Sequence, residues 1–422
     1  MPVATAEKPA IDSGRLKQLV TDQFDNYVKD LERITNIDSG TGNTEGTAKI
    51  AAFLKEKYEK MGAAIDLRPN ERGTHVIVRF KGEGTFRLLM MAHIDTVFEK
   101  GEAEKRPFRM DDNKLAYGPG VGDDKATVVQ TIYAMQVLKD LDYKKYGEII
   151  LYYNAEEEAG SDFANSIIIE LAKLADMCIV MDTACPQWGI VTQRKGMASY
   201  EIKVKGIQGH AGNAPHRSAS AVMELGNQLS LLYRLASPLP EDPDSMAEGT
   251  LQAKGIIDHG QLIPENTINV GVIGTNNNKV NVIPDNAFAK AEFRFFKMAE
   301  YERIDMEIKA MANKTHVPGT TVNISGSIGN KPMEKTPQVQ KIIDIYKEIV
   351  KREYNAEVVE WVAGGVTDGN LAAQYIPTID ALGVENYDEH TPNEYVDLKT
   401  VVPRTVVLVN YIQELVAKWP LN

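Results

Sequence analysis

The chain has 422 residues, more than the roughly 250 to 300 at which one hydrophobic core stops growing, so a single small domain is excluded. Hydrophobic residues make up 43% and charged residues 25%, which is the balance of a folded globular protein. The 47 basic and 59 acidic side chains give a net charge of -12 without a basic stripe, which argues against a nucleic-acid partner. No window approaches the roughly 18 apolar residues of a membrane span, and the first residues lack a secretion-signal pattern. We therefore expect a cytoplasmic protein without a membrane partner.

The first part of the chain alternates between helical and strand patterns. Leu54, Tyr58 and Met61, for example, recur at the spacing of one helix face. The pattern predicts, in chain order, a helix 15–35, a helix 47–62, strands 64–67 and 75–80, a strand 88–92, a helix 125–138, a strand 149–153, a helix 162–175 and a strand 178–181. Strands that alternate with helices are typical of an α/β layer with a mostly parallel, buried sheet.

The pattern changes from residue 195 onward. Polar and apolar residues alternate in three stretches, a helical pattern separates the first from the second, and a segment with three prolines indicates an exposed loop. These elements are the strands 200–204, 268–273 and 287–296, the helix 220–235 and the loop 237–249. Such alternation is typical of an antiparallel sheet with helices on one face.

The α/β pattern then returns near the C-terminus. It predicts a helix 338–354, a glycine-rich turn 364–369, a strand near 378–382 and a closing helix 400–418. The simplest organisation is a larger α/β domain with a mostly parallel central sheet, formed by 1–194 and 329–422. A smaller α+β domain, 195–328, is inserted into it.

Residues suited to metal binding follow the ends of the predicted strands, where the loops of a parallel sheet face a common crevice. The strand 88–92 leads into His93-Ile94-Asp95. Alternation along an extended chain puts His93 and Asp95 on one side, so Asp95 can accept a hydrogen bond from the far ring nitrogen of a metal-bound His93. Taken alone, a histidine at a strand end is more often a structural residue.

Two acidic loops come next along the chain. The glycine-rich segment 118–125 contains Asp123 and Asp124 just before a helix, where a single acidic residue would be an ordinary helix cap. The segment 154–161 places Glu157 and Glu158 in a run of three glutamates directly after a strand. Such like charges repel one another unless a cation is present.

Asp182 and His390 complete the set of residues with this chemistry. Asp182 ends the strand 178–181, and His390 lies in the segment YDEHTP. Each residue alone favours a structural interpretation. Together the strand ends offer two histidines and several carboxylates, which is the ligand set that suits two hydrolytic metal ions about 3.5 to 4 Å apart.

Seven segments then carry a resemblance to a known family. AHIDTV, GPGVGDDK, EEEAGS, GHAGNAPH, NVIPDNAFAKAEFR, GGVTDGN and EHTPNEYVDL occur in the order found in the co-catalytic zinc peptidases, over about residues 48–418. That family includes glutamate carboxypeptidase, succinyl-diaminopimelate desuccinylase, aminoacylase and peptidase T. The likeness is closest to glutamate carboxypeptidase.

The resemblance implies roles for the residues at the strand ends. Asp123 would bridge two divalent metal ions, most typically zinc, with cobalt or manganese as alternatives. The remaining roles are His93 and Asp182 as ligands of one ion, Glu158 and His390 as ligands of the other, Asp95 as the residue that orients His93, and Glu157 as the general base that activates a metal-bridging water. The bond between Asp123 and Asp124 would be a cis peptide.

The resemblance also assigns the inserted domain, which would be a lid and dimerisation domain of a homodimer. His210 would donate to the developing oxyanion, often across the dimer interface, and Arg294 would bind a substrate carboxylate. Gly364, Gly365 and Thr367 would line the substrate pocket. Without the resemblance, His210 would be an ordinary loop histidine, Arg294 an exposed strand residue and the glycine-rich segment a turn.

The function implied is a metal-dependent hydrolase that cleaves an amide bond of a small peptide or an N-acyl amino acid. Asp182 departs from glutamate carboxypeptidase, which usually carries Glu there, and is more typical of dipeptidases and aminopeptidases. Two alternatives are an enzyme of the same scaffold that acts on a non-peptide C–N bond and a catalytically silent binding protein. The second is disfavoured because the sequence keeps all five ligands and the base.

Overall fold

The computed structural model describes residues 13–235, 255–258, 261–264 and 266–421. The helices are α1 Ser13–Asp22, α2 Phe24–Thr35, α3 Thr44–Met61, α4 Glu102–Lys105, α5 Ala126–Asp140, α6 Ala164–Ala172, α7 Ala221–Tyr233, α8 Met298–Met311, α9 Pro337–Tyr354, α10 Asp368–Ala372 and α11 Val401–Lys418. The strands are β1 Ala64–Pro69, β2 Thr74–Lys81, β3 Arg87–His93, β4 Arg109–Met110, β5 Leu115–Tyr117, β6 Glu148–Asn154, β7 Met177–Val180, β8 Ile190–Arg194, β9 Gly196–Lys205, β10 Gly209–His210, β11 Gly255–Asp258, β12 Gln261–Pro264, β13 Asn266–Thr275, β14 Val282–Ile283, β15 Asn286–Phe295, β16 Thr321–Asn330, β17 Glu360–Ala363, β18 Thr378–Ile379, β19 Asn386–Tyr387 and β20 Tyr395–Asp397.

The predicted elements are present, with a few differences. The predicted helix 15–35 is two helices, α1 and α2, which are separated at Gln23. The prediction omits α8 and β16, which follow β15 in the chain, and shorter strands that include β4, β5, β8, β17, β19 and β20. The predicted loop 237–249 lies outside the described residues.

The structure divides into two compact units. The first contains the chain up to Thr192, Lys335–Glu360 and the chain from Tyr375, and the second contains Gln193–Glu334 and Trp361–Gln374. Residues 361–374 therefore differ from the prediction, which placed all of 329–422 in the catalytic domain. The Asn370 side chain ties them to the second unit, since it donates to the carbonyl oxygens of Lys195 at 3.1 Å and Lys331 at 2.9 Å.

The first unit is built on a six-stranded sheet in the order β1-β2-β6-β3-β7-β18. The pairs β6-β3, β3-β7 and β7-β18 are parallel, and β2 is antiparallel to both of its neighbours. Residues of β3, β6 and β7 are buried almost throughout, as expected of strands covered on both faces. The predicted α/β fold with a mostly parallel central sheet is confirmed.

A helix buried on nearly all sides supports the sheet of the first unit. α5 packs against α2, α3 and α11 and contacts β3. Its residues are mostly alanine, valine, isoleucine and threonine, which suit such close packing. α5 follows directly after the segment that contains Asp123, so the position of that segment is fixed by the core of the unit.

The second unit is built on an antiparallel sheet in the order β13-β15-β9-β16. Every second residue of β9 and β15 is buried, for example Tyr200, Ile202 and Phe293. These side chains pack against α7 and α8 and form a separate hydrophobic core. The predicted α+β character of the inserted region follows from this one-sided burial.

No helix among the described residues is long and apolar enough to cross a membrane.

Candidate metal centre

The parallel register of the first unit brings several predicted residues to one edge of the sheet. His93, the last residue of β3, is paired with Asn154, the last residue of β6. Met91 of β3 is paired with Val180, which ends β7 two residues before Asp182. The loop that carries Glu157 and Glu158 and the loop that carries Asp182 therefore begin on either side of His93.

Asp123 presents one carboxylate oxygen to each of two histidines. Its Oδ1 lies 2.8 Å from Nε2 of His93, and its Oδ2 lies 3.0 Å from Nε2 of His390. The peptide bond between Asp123 and Asp124 is cis, as the resemblance implies. A carboxylate between two imidazoles has the arrangement required of a residue that bridges two cations.

Two groups of side chains have the composition and spacing of cation sites, and they share Asp123. His93, Asp123 and Asp182 form one group and Asp123, Glu158 and His390 form the other, with the ligand atoms of each within 4.8 Å of one another. Among the described residues, these groups include Glu158 and not Glu157. The structure thus brings together the five residues predicted as ligands, in the two sets predicted.

Asp95 is completely buried and holds several parts of the site. Its Oδ2 accepts hydrogen bonds from the Thr41 hydroxyl at 2.6 Å and the Glu158 N–H at 3.2 Å, and its Oδ1 accepts one from the Glu157 N–H at 3.1 Å. Nδ1 of His93 lies 3.1 Å from the Asp95 carbonyl oxygen and 3.5 Å from its Oδ1. The Asp95 carboxylate therefore holds the loop of the two glutamates, while the nearer contact of His93 is the Asp95 backbone carbonyl; that the carboxylate orients His93 stays a prediction.

The carboxylates of the site attract positive charge. Burial opposes the protonated form of His93, but hydrogen bonds to Asp123 and Asp182 raise the pKa of His93 well above its usual value. The hydrogen bond to Asp123 raises the pKa of His390 to about 9. Burial, together with the charge of Asp123, raises the pKa of Glu158 to about 8. Such a concentration of acidic groups is typical of a site for divalent cations.

The residues fit a pair of divalent metal ions. Oε1 of Glu158 is buried without a hydrogen-bond partner, although its Oε2 lies 3.2 Å from Nε2 of His390. A buried carboxylate oxygen of this kind costs free energy unless a cation or a donor faces it. The donors are imidazole nitrogens and carboxylate oxygens without a thiolate, a set that suits zinc, cobalt or manganese.

His210 lies in the second unit, in the short strand β10, which pairs with β14. Its Nδ1 accepts hydrogen bonds from the backbone N–H groups of Gly212 and Asn213, both at 3.2 Å. Since Nδ1 is an acceptor, the proton of the neutral ring resides on Nε2. The exposed His210 ring therefore offers an N–H donor, which its predicted role requires.

Arg294 also lies in the second unit, on β15. Its Nε is 2.6 Å from Oε1 of Glu292, and its Nη1 donates to the carbonyl oxygen of Gly364 at 2.7 Å. Part of the guanidinium group is thus already paired with a carboxylate two residues away. The binding of a substrate carboxylate by Arg294 stays a prediction.

The predicted pocket residues of the second unit surround the start of a short helix. Thr367 caps α10, because its hydroxyl oxygen accepts the Gly369 N–H and its own N–H donates to the Asn370 side chain. A methyl group added to Gly364 or Gly365 would meet no atom within 4 Å. These two glycines therefore border open space.

Two residues that hold the site, Thr41 and Glu394, are not among the predicted site residues. Thr41 donates to Asp95, and Glu394 accepts backbone N–H groups around Asp123. Neither residue stands next to a proposed ligand in the chain, and neither follows a predicted strand. Their only signal in the sequence is that Glu394 lies in the same short segment as His390.

Comparison with known proteins supports the same interpretation of the site. The model of peptidase family M20/M25/M40 matches residues 89–414. Carboxypeptidase G2 of Pseudomonas sp. (strain RS-16) is 28% identical over 406 residues, which cover 95% of this chain and 92% of that protein. Succinyl-diaminopimelate desuccinylase of Acidovorax ebreus (strain TPSY) is 24% identical over 301 residues, 68% of this chain and 69% of that protein. The crystal structure of aminopeptidase PepT from Bacillus cereus ATCC 10987 superposes with a TM-score of 0.72 at 20% identity, over 94% of this chain and 99% of that chain.

Proposed function

We propose that the chain, which belongs to peptidase family M20/M25/M40 and is a metal-dependent hydrolase, cleaves an amide bond of a small peptide or an N-acyl amino acid at the site around Asp123. The observation that carries the proposal is the Asp123 carboxylate, which faces His93 with one oxygen and His390 with the other. The family match, which is independent of this geometry, confirms the predicted resemblance.

His93 and Asp182 would hold one divalent ion, Glu158 and His390 the other, and Asp123 both. Two such ions would lower the pKa of a water molecule and polarise the carbonyl group of the substrate amide. Zinc is the proposed metal, with cobalt and manganese as substitutes, since each accepts imidazole and carboxylate ligands.

Glu157 is the proposed general base. It takes a proton from the attacking water and returns it to the nitrogen of the leaving amine as the C–N bond breaks. Its backbone N–H is held by Asp95 beside that of Glu158, and its side chain is outside the two candidate ligand groups. One glutamate of the pair is thus available for proton transfer while the other binds metal.

His210 and Arg294 are the proposed contributions of the second unit. The Nε2–H of His210 would stabilise the negative charge that develops on the substrate carbonyl oxygen, which is a contact made mainly in the transition state. Arg294 would bind a substrate carboxylate, for which a guanidinium group has matching geometry. Gly364, Gly365 and Thr367 would line the space in which that carboxylate lies.

The experiment that tests this function uses one dipeptide in four forms: free, N-acetylated, C-amidated and blocked at both ends. A carboxypeptidase or N-acyl amino acid hydrolase cleaves the free and N-acetylated forms, whereas an aminopeptidase cleaves the free and C-amidated forms. Chelation to a verified metal content near zero is expected to abolish every activity, and added Zn²⁺, Co²⁺ or Mn²⁺ to restore it. Full activity of the metal-free protein would refute the proposal.

One observation favours a second candidate, hydrolysis of a non-peptide C–N bond on the same scaffold. Glu292 already pairs with Arg294, so the guanidinium group is partly neutralised before any substrate arrives. An Arg294→Ala variant distinguishes the two. A peptide or N-acyl amino acid hydrolase is expected to show a raised KM for substrates with a free carboxylate, whereas an enzyme for a non-peptide substrate keeps its KM.

The second unit is also the proposed homodimer interface. It exposes large apolar side chains on two elements that contact each other, α7 and β13. Met223 and Tyr233 on α7 are 66% and 59% exposed, and Ile273 on β13 is 63% exposed. Sedimentation is expected to show a dimer that Met223→Glu or Ile273→Glu weakens. Met306→Glu is the matched control, because Met306 is 67% exposed on α8. A monomeric wild-type protein would contradict the proposed dimer.

A further inference from the structure

The carboxylate of Glu394 holds the loop that presents Asp123. Glu394 is 1% exposed, and its Oε1 accepts the backbone N–H groups of Gly122 at 2.8 Å and Asp123 at 2.9 Å. Its Oε2 accepts the N–H of Gly120 at 3.0 Å. Hydrogen bonds from N–H groups to a charged carboxylate are stronger than bonds between neutral groups. One side chain, 271 positions away in the chain, thus fixes three amides around Asp123.

A small sheet brings Glu394 to this place. Tyr395, the first residue of β20, pairs with Tyr117, the last residue of β5, in an antiparallel ladder. Glu394 and Gly118 therefore leave the same end of the ladder, and the Glu394 side chain reaches the amides that follow Gly118. The segment that precedes Glu394 also carries His390, which faces the Oδ2 atom of Asp123.

The other side of the same loop is equally constrained. Nζ of the buried Lys125 donates to the carbonyl oxygens of Pro119 at 3.0 Å and Ile37 at 2.9 Å. A methyl group on Gly122 would lie 2.5 Å from Cβ of Asn386, so the loop has no room to move in that direction. Glu394 thus acts on the N–H side of a loop that is already held on its carbonyl side.

We propose that Glu394 is a positioning residue that sets the orientation of Asp123 and thereby the affinity for both cations. The inference rests on the proposed metal centre. Since each oxygen of Asp123 serves a different histidine, a rotation of its backbone would displace the carboxylate from both groups of ligands at once. Loss of Glu394 should therefore weaken both ions together, whereas loss of an ordinary ligand should weaken mainly one.

The test compares Glu394→Gln with a matched control. Glutamine keeps an acceptor at the Oε1 position for Gly122 and Asp123 but turns an NH₂ group towards the N–H of Gly120. Glu224→Gln is the control, because Glu224 is also fully buried and accepts two backbone N–H groups, those of His316 and Val317, both at 2.7 Å, in the second unit. Zn²⁺ titrated into each metal-free protein in competition with a chromophoric chelator gives the affinities.

Glu394→Gln is expected to lose about 10- to 100-fold in Zn²⁺ affinity at both sites, which is the range known for groups that orient metal ligands. Glu224→Gln is expected to lose none. Activity of Glu394→Gln should recover towards the wild-type kcat at saturating Zn²⁺. Thermal unfolding of the metal-free proteins separates this effect from general destabilisation. If Glu394→Gln does not fold, Glu394→Asp, which keeps the charge on a shorter side chain, is judged by the same criterion.

Two outcomes would overturn the inference, and one of them would also refute the proposed metal centre. If the wild-type chain binds two Zn²⁺ ions and Glu394→Gln binds them with equal affinity, the role of Glu394 is refuted and the metal centre is not. A wild-type chain that binds fewer than two ions refutes the metal centre itself, and this inference with it.

Discussion

Replacement of Asp95 by asparagine is expected to weaken metal binding and catalysis although it changes no proposed ligand. The Asp95 carboxylate accepts three hydrogen bonds, from Thr41 and from the amides of Glu157 and Glu158. Asparagine offers one acceptor oxygen and one NH₂ donor in the same shape. The NH₂ group should take the Oδ2 position, because at the Oδ1 position it would face both Nδ1 of His93 and the Glu157 amide.

The magnitude follows from the contact that this orientation loses. The Thr41 hydroxyl can turn and become an acceptor, but the N–H of Glu158 then faces an N–H donor. A hydrogen bond to a charged group contributes about 1.5 to 3 kcal/mol, which corresponds to roughly 10- to 100-fold in affinity or rate. Thr41→Val removes only the hydroxyl and should have a smaller effect, whereas Asp95→Ala removes every contact of the carboxylate and should have the largest.

The assay measures Zn²⁺ affinity and kcat/KM for the three variants and for a control. Asp380→Asn is the control, since Asp380 is also completely buried and accepts a backbone N–H, that of Ala381, outside the metal centre. The expected order of loss is Asp95→Ala, then Asp95→Asn, then Thr41→Val. The prediction is refuted if Asp95→Ala, with its metal content verified, binds zinc and turns over substrate like the wild type.

Three further predictions concern the base, the oxyanion donor and pH. Glu157→Gln should lower kcat by roughly 10²- to 10⁴-fold with two metal ions still bound, and Glu158→Gln should lose metal, as elemental analysis can show; the opposite pattern means that the roles are exchanged. His210→Ala should lower kcat far more than it raises KM; equal effects on both would contradict an oxyanion contact. Burial lowers the pKa of His75 to about 4 from 6.5, so on acidification the unfolded chain gains this proton before the folded chain does. The free energy of unfolding therefore falls from pH 6.5 towards pH 4, by on the order of 3 kcal/mol. His75→Gln should flatten that fall in urea unfolding, and an unchanged pH profile would count against it.

The lowered pKa of His75 has a local structural reason as well as burial. The Ala155 N–H donates to Nδ1 at 3.2 Å, and the Asn70 side-chain NH₂ lies 2.9 Å from Nε2. The orientation of the Asn70 amide is fixed, because its oxygen accepts the N–H groups of Arg72 and Gly73. A doubly protonated ring would face a donor at each nitrogen, and among the described residues only the Tyr152 hydroxyl, 3.0 Å from Nδ1, could accept one of its protons. This supports a structural role for His75.

Three residues of the candidate metal centre could be placed together from the sequence because a parallel sheet has a simple rule. His93, Glu158 and Asp182 each follow a predicted strand of the same sheet, and parallel strands end at one edge. His390 was also expected at a strand end of that sheet, and this is wrong, because it follows β19, which belongs to the small sheet β19-β20-β5-β4. The helix α8 was also predictable, since Ile304, Ile308 and Met311 stand at helical spacing and are buried, yet the prediction omits it.

The small sheet that carries Glu394 could not be predicted from the pattern. β5 and β20 have three residues each and β4 and β19 two, which is too short for the alternation of apolar and polar residues to be recognised. The pairing of β5 with β20 also joins segments of the chain that are far apart in sequence. The break between α1 and α2 was missed for a related reason, because Gln23 is neither a glycine nor a proline.

Asp95 and Glu394 illustrate why a metal centre is easier to predict than the contacts that support it. A metal ligand is recognised by its side chain, and few residue types qualify. Asp95 and Glu394 instead bind backbone N–H groups, which every residue except proline supplies, so their partners leave no mark on the sequence. Each fixes a different loop of the site: Asp95 the one with Glu158, and Glu394 the one with Asp123. If both act in this way, the loss of Zn²⁺ affinity in the double variant Asp95→Asn with Glu394→Gln should differ from the product of the two single losses, since Glu158 and Asp123 are proposed ligands of the same ion.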